Sequence, residues 1–549
     1  MRRISIGLLS IALIGAMLWA TDWAGPGIHR DGWARGESDL KKDNANGIKL
    51  LWKLKVDSRP EGVDSLTAGV IITRQITYRG FKEMLIVAGG PDKLFNVDAD
   101  LGRLLWKTDF EYHGVRPAAS PLCPGAVIAA PAMLMPPMRG GAGRGAAAAT
   151  PAPDPAPPAP SAVPPPPPPN RGLIGRGVAF LGTLQRIWVV SRDGMLHTVN
   201  SHTGADMEAA IPFVPANTRV DSLNIANNVL YATTSKACGG APNGLYAIDL
   251  ADDSKTVKSF LTNGAMGLAR GGAATATDST VYVQAIDGSG EIAGQYNHTV
   301  LALSPGDLKV KDYFTPTTLP TNNPGNIDLA TVTPVVFPYK ERELMVAAGN
   351  DGRLYLLDSK SLGGPDHKTP LYRTEPFAPS NMNTGGGIWG NFASWEDEAT
   401  STRWVYAALW GETIAKIPAP NGPAPHGAIA AFKVVEQNGS PALSLAWISR
   451  DMISPAPPVI ANGMVLALAT GASPRQRREN GTPYTAEDRV KMADRATLYV
   501  LDGDTGKELY SSGTAVTSFA PGGLSFANGR AYFGTYDSYL YSFGIPIEH

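Results

Sequence analysis

A short β-rich unit that recurs along the chain is the feature that most limits how it can fold. Its clearest copies are LFNVDADLGRLLW (Leu94 to Trp106), LHTVNSHTGADME (Leu196 to Glu208) and LYVLDGDTGKELY (Leu498 to Tyr510). Weaker copies are LYAIDLADDSKTV (Leu245 to Val257), VLALSPGDLKVKD (Val300 to Asp312) and LYLLDSKSLGG (Leu354 to Gly364). Each combines apolar strand sequence, a small polar anchor, a Gly- or Asp-containing turn and often a final aromatic. The anchors align as Asp98, Asn200, Asp249, Ser304, Asp358 and Asp502, and the steps from Asn200 onward are 49, 55 and 54 residues. That period suits one four-stranded blade per repeat. Two divergent copies, Ala428 to Trp447 and Ala531 to Gly544, bring the count to eight. The expectation is an all-β, eight-bladed propeller of four-stranded antiparallel blades.

The last copy stops where its outermost strand should begin, while an unpaired strand, LLWKLKV (Leu50 to Val56), precedes the first complete blade. This strand is expected to complete the eighth blade, which joins the chain ends and covers an open sheet edge. Trp52 then takes the place that Trp106 holds in the first blade. The anchor and Gly residues read as blade fasteners: a short acceptor and a permissive Gly make the tight turn, and the aromatic docks on the next blade.

Composition narrows the function. With 60 Gly and 46 Pro among 549 residues and 43% apolar residues, the chain is rich in turns yet apolar enough for a large core. The balance of 48 basic against 49 acidic residues lacks the cationic footprint of a nucleic-acid binder. Two cysteines, Cys123 and Cys238, cannot build a zinc ribbon, an iron-sulfur centre or a C-x-x-C-H haem attachment, so no haem is expected. The eight His show no H-E-x-x-H pattern.

Arg2 and Arg3 precede an apolar run from Ile4 to Ala20, and the chain turns polar at Thr21 and Asp22. Residues 1–20 read as an export signal or an uncleaved N-terminal anchor. Residues 21–549 then form one propeller, exported to the periplasm or beyond. A Pro/Gly/Ala-rich insertion, 136–170, lies between two strands of the second blade and cannot join a ladder.

The pattern A-x-D-x-x-T-G-x-x-x-W, matched by Asp502, Thr505 and Gly506 and by Asp98, Gly102 and Trp106, resembles the repeat of pyrroloquinoline quinone (PQQ) propellers. The lead-in DWAGPGIHRDGWARGE (Asp22 to Glu37) is similar to that of exported members. The resemblance implies either of two functions. One is a quinoprotein dehydrogenase that uses PQQ with calcium to oxidise a small alcohol or sugar. The other is a non-catalytic propeller that binds an envelope protein. Quinoprotein alcohol dehydrogenases commonly carry a disulfide between adjacent cysteines, whereas Cys123 and Cys238 are 115 positions apart.

In a four-stranded blade the start of the innermost strand and the loop between strands two and three share one face. Long loops of the second kind, Ser235 to Gly244, Asp287 to Thr299, Trp410 to Gly427 and Gly471 to Asp494, elaborate that face. Thr485 and Asp488 have capping-box spacing for a short helix in the last of them. Residues assigned to inner-strand starts are Arg116, Asp221, Arg270, Asp328, Trp389, Arg450 and Asp451. As a cofactor site, Arg116, Arg270 and Arg450 hold quinone carboxylates, Trp389 stacks on the ring, and Asp221, Asp328 or Asp451 serves as general base. As a structural cap, the same charges pair with one another. Both cysteines fall on this face in adjacent blades, so a Cys123–Cys238 disulfide is expected in an oxidising compartment. Thiol titration of the denatured, unreduced protein should find no free thiol; two would refute the bridge.

Overall fold

The computed structural model describes residues 22–25, 30–77, 80–112, 114–115, 123, 129–134, 185–262, 271–285, 299–317, 332–349, 351–379, 385–413 and 420–546. Eight four-stranded antiparallel sheets are arranged as blades, each consecutive in sequence from the innermost strand outward except the last. Blade 1 consists of Val70–Thr77, Gly80–Gly89, Lys93–Asp98 and Arg103–Asp109. Blade 8 consists of Ser525–Ala527, Arg530–Gly534 and Tyr539–Gly544, closed by Lys49–Lys55 as its outermost strand. Leu50 faces Phe543 and Leu54 faces Leu540 in that antiparallel ladder, so the N-terminal strand closes the ring as the repeat count requires. The two divergent repeats are the outer strands of blade 6, Gly427–Gln437 and Ser440–Ile448, and the later strands of blade 8.

Middle strands are buried on both faces, because each blade is covered by two neighbours. The core is therefore divided among blade interfaces: Val70, Ile72, Met84 and Ile86 of blade 1 pack with Met133, Ile187 and Val189 of blade 2. Outermost strands alternate toward solvent, as in Arg103–Asp109.

The repeat anchors act as the sequence suggests. Asp98 Oδ1 accepts from the N–H groups of Asp100 (3.2 Å) and Leu101 (3.1 Å), and Asp502 Oδ1 accepts from Asp504 and Thr505 (both 3.0 Å). The outer-strand tryptophans reach across to the neighbouring blade. Trp52 Nε1 donates to Ala99 O (2.8 Å), Trp106 Nε1 to Ser201 O (2.9 Å) and Trp447 Nε1 to Gly503 O (3.1 Å). Each accepting carbonyl belongs to the residue after an anchor: Asp98, Asn200 or Asp502. Gly102, at φ +61°, lies under the Trp52 ring, and a Cβ there would come within 2.6 Å of it.

The lead-in to the closing strand occupies the central channel. Trp23 bridges Ile71 of blade 1 in antiparallel sense, and Asp22 Oδ1 accepts from Thr73 N at 2.7 Å. Asp31 O accepts from Ser394 N of blade 6 at 2.7 Å, Trp33 bridges Ile460 of blade 7 in parallel sense, and Leu40 O accepts from Asn462 Nδ2 at 2.7 Å. The segment thus crosses the channel from blade 1 to blades 6 and 7 before leaving to become the outermost strand of blade 8. The disulfide links Cys123 to Cys238 with Cα atoms 5.7 Å apart. Thr485 caps the helix Ala486–Lys491 in a capping box with Asp488, as expected. Residues 1–20, read from sequence as an export signal or anchor, and the Pro-rich insertion 136–170 lie outside the described residues.

Two stability outcomes follow from ring closure. Trp52→Ala should cost about 3 kcal/mol, the scale of losing a large packed aromatic, and deleting residues 49–55 should abolish cooperative unfolding; unchanged thermal melts would contradict the closure. At the same seam Glu83 accepts from Asn528 and faces Arg530 at 3.6 Å, yet burial and the nearby Asp100 carboxylate hold its pKa above the ordinary glutamate range. An acid raised in the folded state favours folding when protonated, and that contribution is lost as pH rises from the unfolded pKa through the raised one. The Tm difference between wild type and Glu83→Gln should therefore shift toward the variant as pH rises from about 4 to 7; a constant difference would refute the assignment.

Candidate functional site

Where the inner strands begin, the propeller axis opens into a cavity of about 280 Å³, floored by Trp23 to Gly25, Arg30 and Gly32 of the channel segment. Its apolar walls include Trp389, Phe392, Leu223 and Phe519. Trp389 stacks on Trp410 with ring centroids 4.1 Å apart and planes 24° apart, and Trp410 Nε1 donates to Pro455 O at 2.9 Å. The pair is thus anchored to the loop ahead of blade 7. Arg489 of the short helix in the Gly471 to Asp494 loop also reaches the cavity.

Asp64 and Asp221 both line the cavity, and both engage Arg219. Arg219 Nε lies 2.9 Å from Asp221 Oδ1, and its Nη2 lies 3.4 Å from Asp64 Oδ2. Asp221 also accepts from Ser235 Oγ and retains only 1% side-chain exposure. This carboxylate therefore fixes the wall through two donors instead of standing open to a ligand.

Asp221 and Trp389, assigned from sequence, do meet at the cavity. Arg450 and Asp451 do not. Their assignment to an inner-strand start is corrected by the strand itself, Val459–Ala461, which begins only after Pro455, Pro457 and Pro458. Proline has no N–H to give a ladder, so the run supports only an isolated bridge, Pro455 with Ala469, and the continuous ladder starts at Val459 opposite Leu466. Arg450 pairs with Glu508 and lies over the Tyr499 ring at 4.7 Å, while Asp451 accepts from His426 N at 2.8 Å and meets His426 Nδ1 at 2.7 Å. Arg116, Arg270 and Asp328 lie outside the described residues.

Arg30 was not among the residues that the repeat pattern singles out. Its only signal in the sequence is a basic residue set between Gly and Trp in GPGIHRDGW, and nothing local reveals that this stretch enters the channel. Burial pulls the Arg30 pKa down to about 9, and no carboxylate among the described residues opposes it. Among the described residues no three His, Cys, Asp or Glu side chains gather as a metal site.

No family profile matches the sequence, and no curated protein matches it. Solved structures do share the fold. The quinohemoprotein alcohol dehydrogenase of Comamonas testosteroni is 12% identical, with a TM-score of 0.55 over 96% of this chain and 81% of that one. A europium-containing methanol dehydrogenase is 10% identical, with a TM-score of 0.53 over 95% and 98% of the two chains. A quinohemoprotein alcohol dehydrogenase of Pseudomonas putida HK5 is 11% identical, with a TM-score of 0.53 over 96% and 82%. The chain is thus an eight-bladed propeller with the fold of these dehydrogenases.

Proposed function

We propose that the protein is an exported quinone-binding oxidoreductase of the PQQ-propeller type that acts on a small alcohol or sugar, with the axial cavity as its site. The carrying observation is the aromatic wall at the axis, where Trp389, stacked on Trp410, lines the cavity and matches a planar ring in kind. The shared fold and the Cys123–Cys238 bridge, which suits an oxidising compartment, support the reading.

The two parts of the expected cofactor fit differently. A quinone ring fits the Trp389 face, and its carboxylates suit the cationic floor at Arg30. When bound, such a quinone supplies a two-electron acceptor. Calcium does not fit the described residues: Asp64 and Asp221 are already engaged by Arg219, and no other donor set converges. No step is therefore assigned to a metal. Within the chain, Trp389 orients a ring, the channel segment closes the floor against water, and Asp221 with Arg219 and Ser235 holds the wall in place.

One observation favours the second reading, an envelope scaffold. Leu101, Leu104 and Leu105 are 55%, 46% and 37% exposed on the outer edge of blade 1, and Leu50 is 38% exposed on that of adjacent blade 8.

Calorimetric titration of the purified protein with PQQ, with and without calcium, followed by dye-reduction assays with alcohols and sugars, separates the two. Saturable binding is expected, with Trp389→Ala weakening it at least about tenfold, or about 1.4 kcal/mol, while the melting curve stays cooperative. A folded protein that binds no quinone would overturn the oxidoreductase reading.

A further inference from the structure

We propose that Arg30, brought into the channel by the N-terminal segment instead of by a blade, is the anion-recognising residue of the axial cavity, and that the ligand it takes is a flat-ring carboxylate. The inference rests on the reading of this cavity as a ligand site, and it holds for ring carboxylates whether or not they are quinones.

The hydrogen bonds of Arg30 account for only part of its guanidinium. Nε donates to Ala273 O (3.1 Å) and Nη2 donates to Ser222 Oγ (2.9 Å), while Nη1 has no partner among the described residues. The residue is 3% exposed, and no described carboxylate pairs with it. A cation removed from water without a counter-ion is strongly unfavourable, and an anion that enters the same cavity removes the deficit. The acids of the wall, Asp221 and Asp64, pair with Arg219, and neither makes an ion pair with Arg30.

The surroundings make room for this arrangement. Gly272, at φ +91°, lies against the guanidinium, and a Cβ there would come within 2.4 Å of Nη2 and 2.5 Å of Ser222 Oγ. Arg30 itself takes a positive φ of 57°, a conformation uncommon for a residue with a side chain. A planar guanidinium matches a carboxylate in shape and charge, and Trp389, which lines the same cavity, matches an attached ring.

The test compares a matched acid and amide on the full chain. Benzoate and benzamide are titrated at neutral pH into wild type, Arg30→Met and Arg30→Lys, with calorimetry and melting temperature as readouts. Benzoate should bind wild type and raise its Tm, benzamide should bind at least tenfold more weakly, Arg30→Met should lose at least tenfold for benzoate, and Arg30→Lys should retain part of the affinity. Without ligand, Arg30→Met should melt no lower than wild type, because a buried cation with no described counter-ion has been removed. Equal binding of acid and amide, no binding of benzoate, or undiminished benzoate binding by Arg30→Met would overturn the proposal. Should Arg30→Met fail to fold, Arg30→Gln takes its place in the same titrations, and undiminished benzoate binding by it overturns the proposal. PQQ, titrated into the same proteins, separates the two readings. Failure of PQQ alongside Arg30-dependent benzoate binding removes the quinone and leaves the carboxylate site. PQQ binding that ignores Arg30→Met keeps the quinone and removes the carboxylate site.

Discussion

The ring depends on one repeated contact, an outer-strand tryptophan donating to the carbonyl after the neighbouring blade's polar anchor. Trp52, Trp106 and Trp447 all make it, to Ala99, Ser201 and Gly503. The contact couples two kinds of order. The anchor's carboxylate or amide ties its own turn, and the tied turn presents a fixed carbonyl to the indole next door. A blade therefore becomes a good dock only once its own turn is formed, so local folding and ring assembly reinforce each other. Long-range pairing of strands from opposite chain ends costs loop-closure entropy, and the Trp52 contact at the seam helps to offset it.

The N-terminal segment adds two further constraints. Its strand Lys49–Lys55 removes the open edge of blade 8, and the residues before that strand occupy the channel that eight blades leave at their centre. Bonds from Asp22 and Trp23 reach blade 1, those from Trp33 and Leu40 reach blade 7, and Arg30 reaches Ser222 of blade 3, so the channel segment is held from several sides. Trp23 to Gly25, Arg30 and Gly32 of this segment line the cavity and form its floor. Closure of the ring and depth of the site are thus set by one stretch of chain.

How much of this could be read from the sequence follows the range of each interaction. Asp98 with Trp106, and Asp502 with Gly506, are local patterns repeated at a fixed period, so blade number, ring closure and the Trp52 equivalence were legible. The Cys123–Cys238 pair was legible once faces could be assigned by counting strands. Counting failed at Arg450 and Asp451, because Pro455, Pro457 and Pro458 postpone the inner strand of blade 7. It failed more completely at Arg30, whose bond to Ala273 spans 243 positions. A contact of that range leaves no period, and the segment that makes it belongs to no repeat.

Electrostatics explains why that one residue matters more than the paired charges around it. Arg219, Asp64 and Asp221 are one cation shared by two carboxylates, so they stiffen the wall and hold their charge in fixed ion pairs. Arg30 adds a positive charge that no described carboxylate answers, in a site where low dielectric and aromatic walls strengthen its pull on an anion. The propeller fold supplies a cavity on this axis, but it does not choose among ligands. The choice falls to the unbalanced charge, and in this chain that charge comes from the segment that also closes the ring.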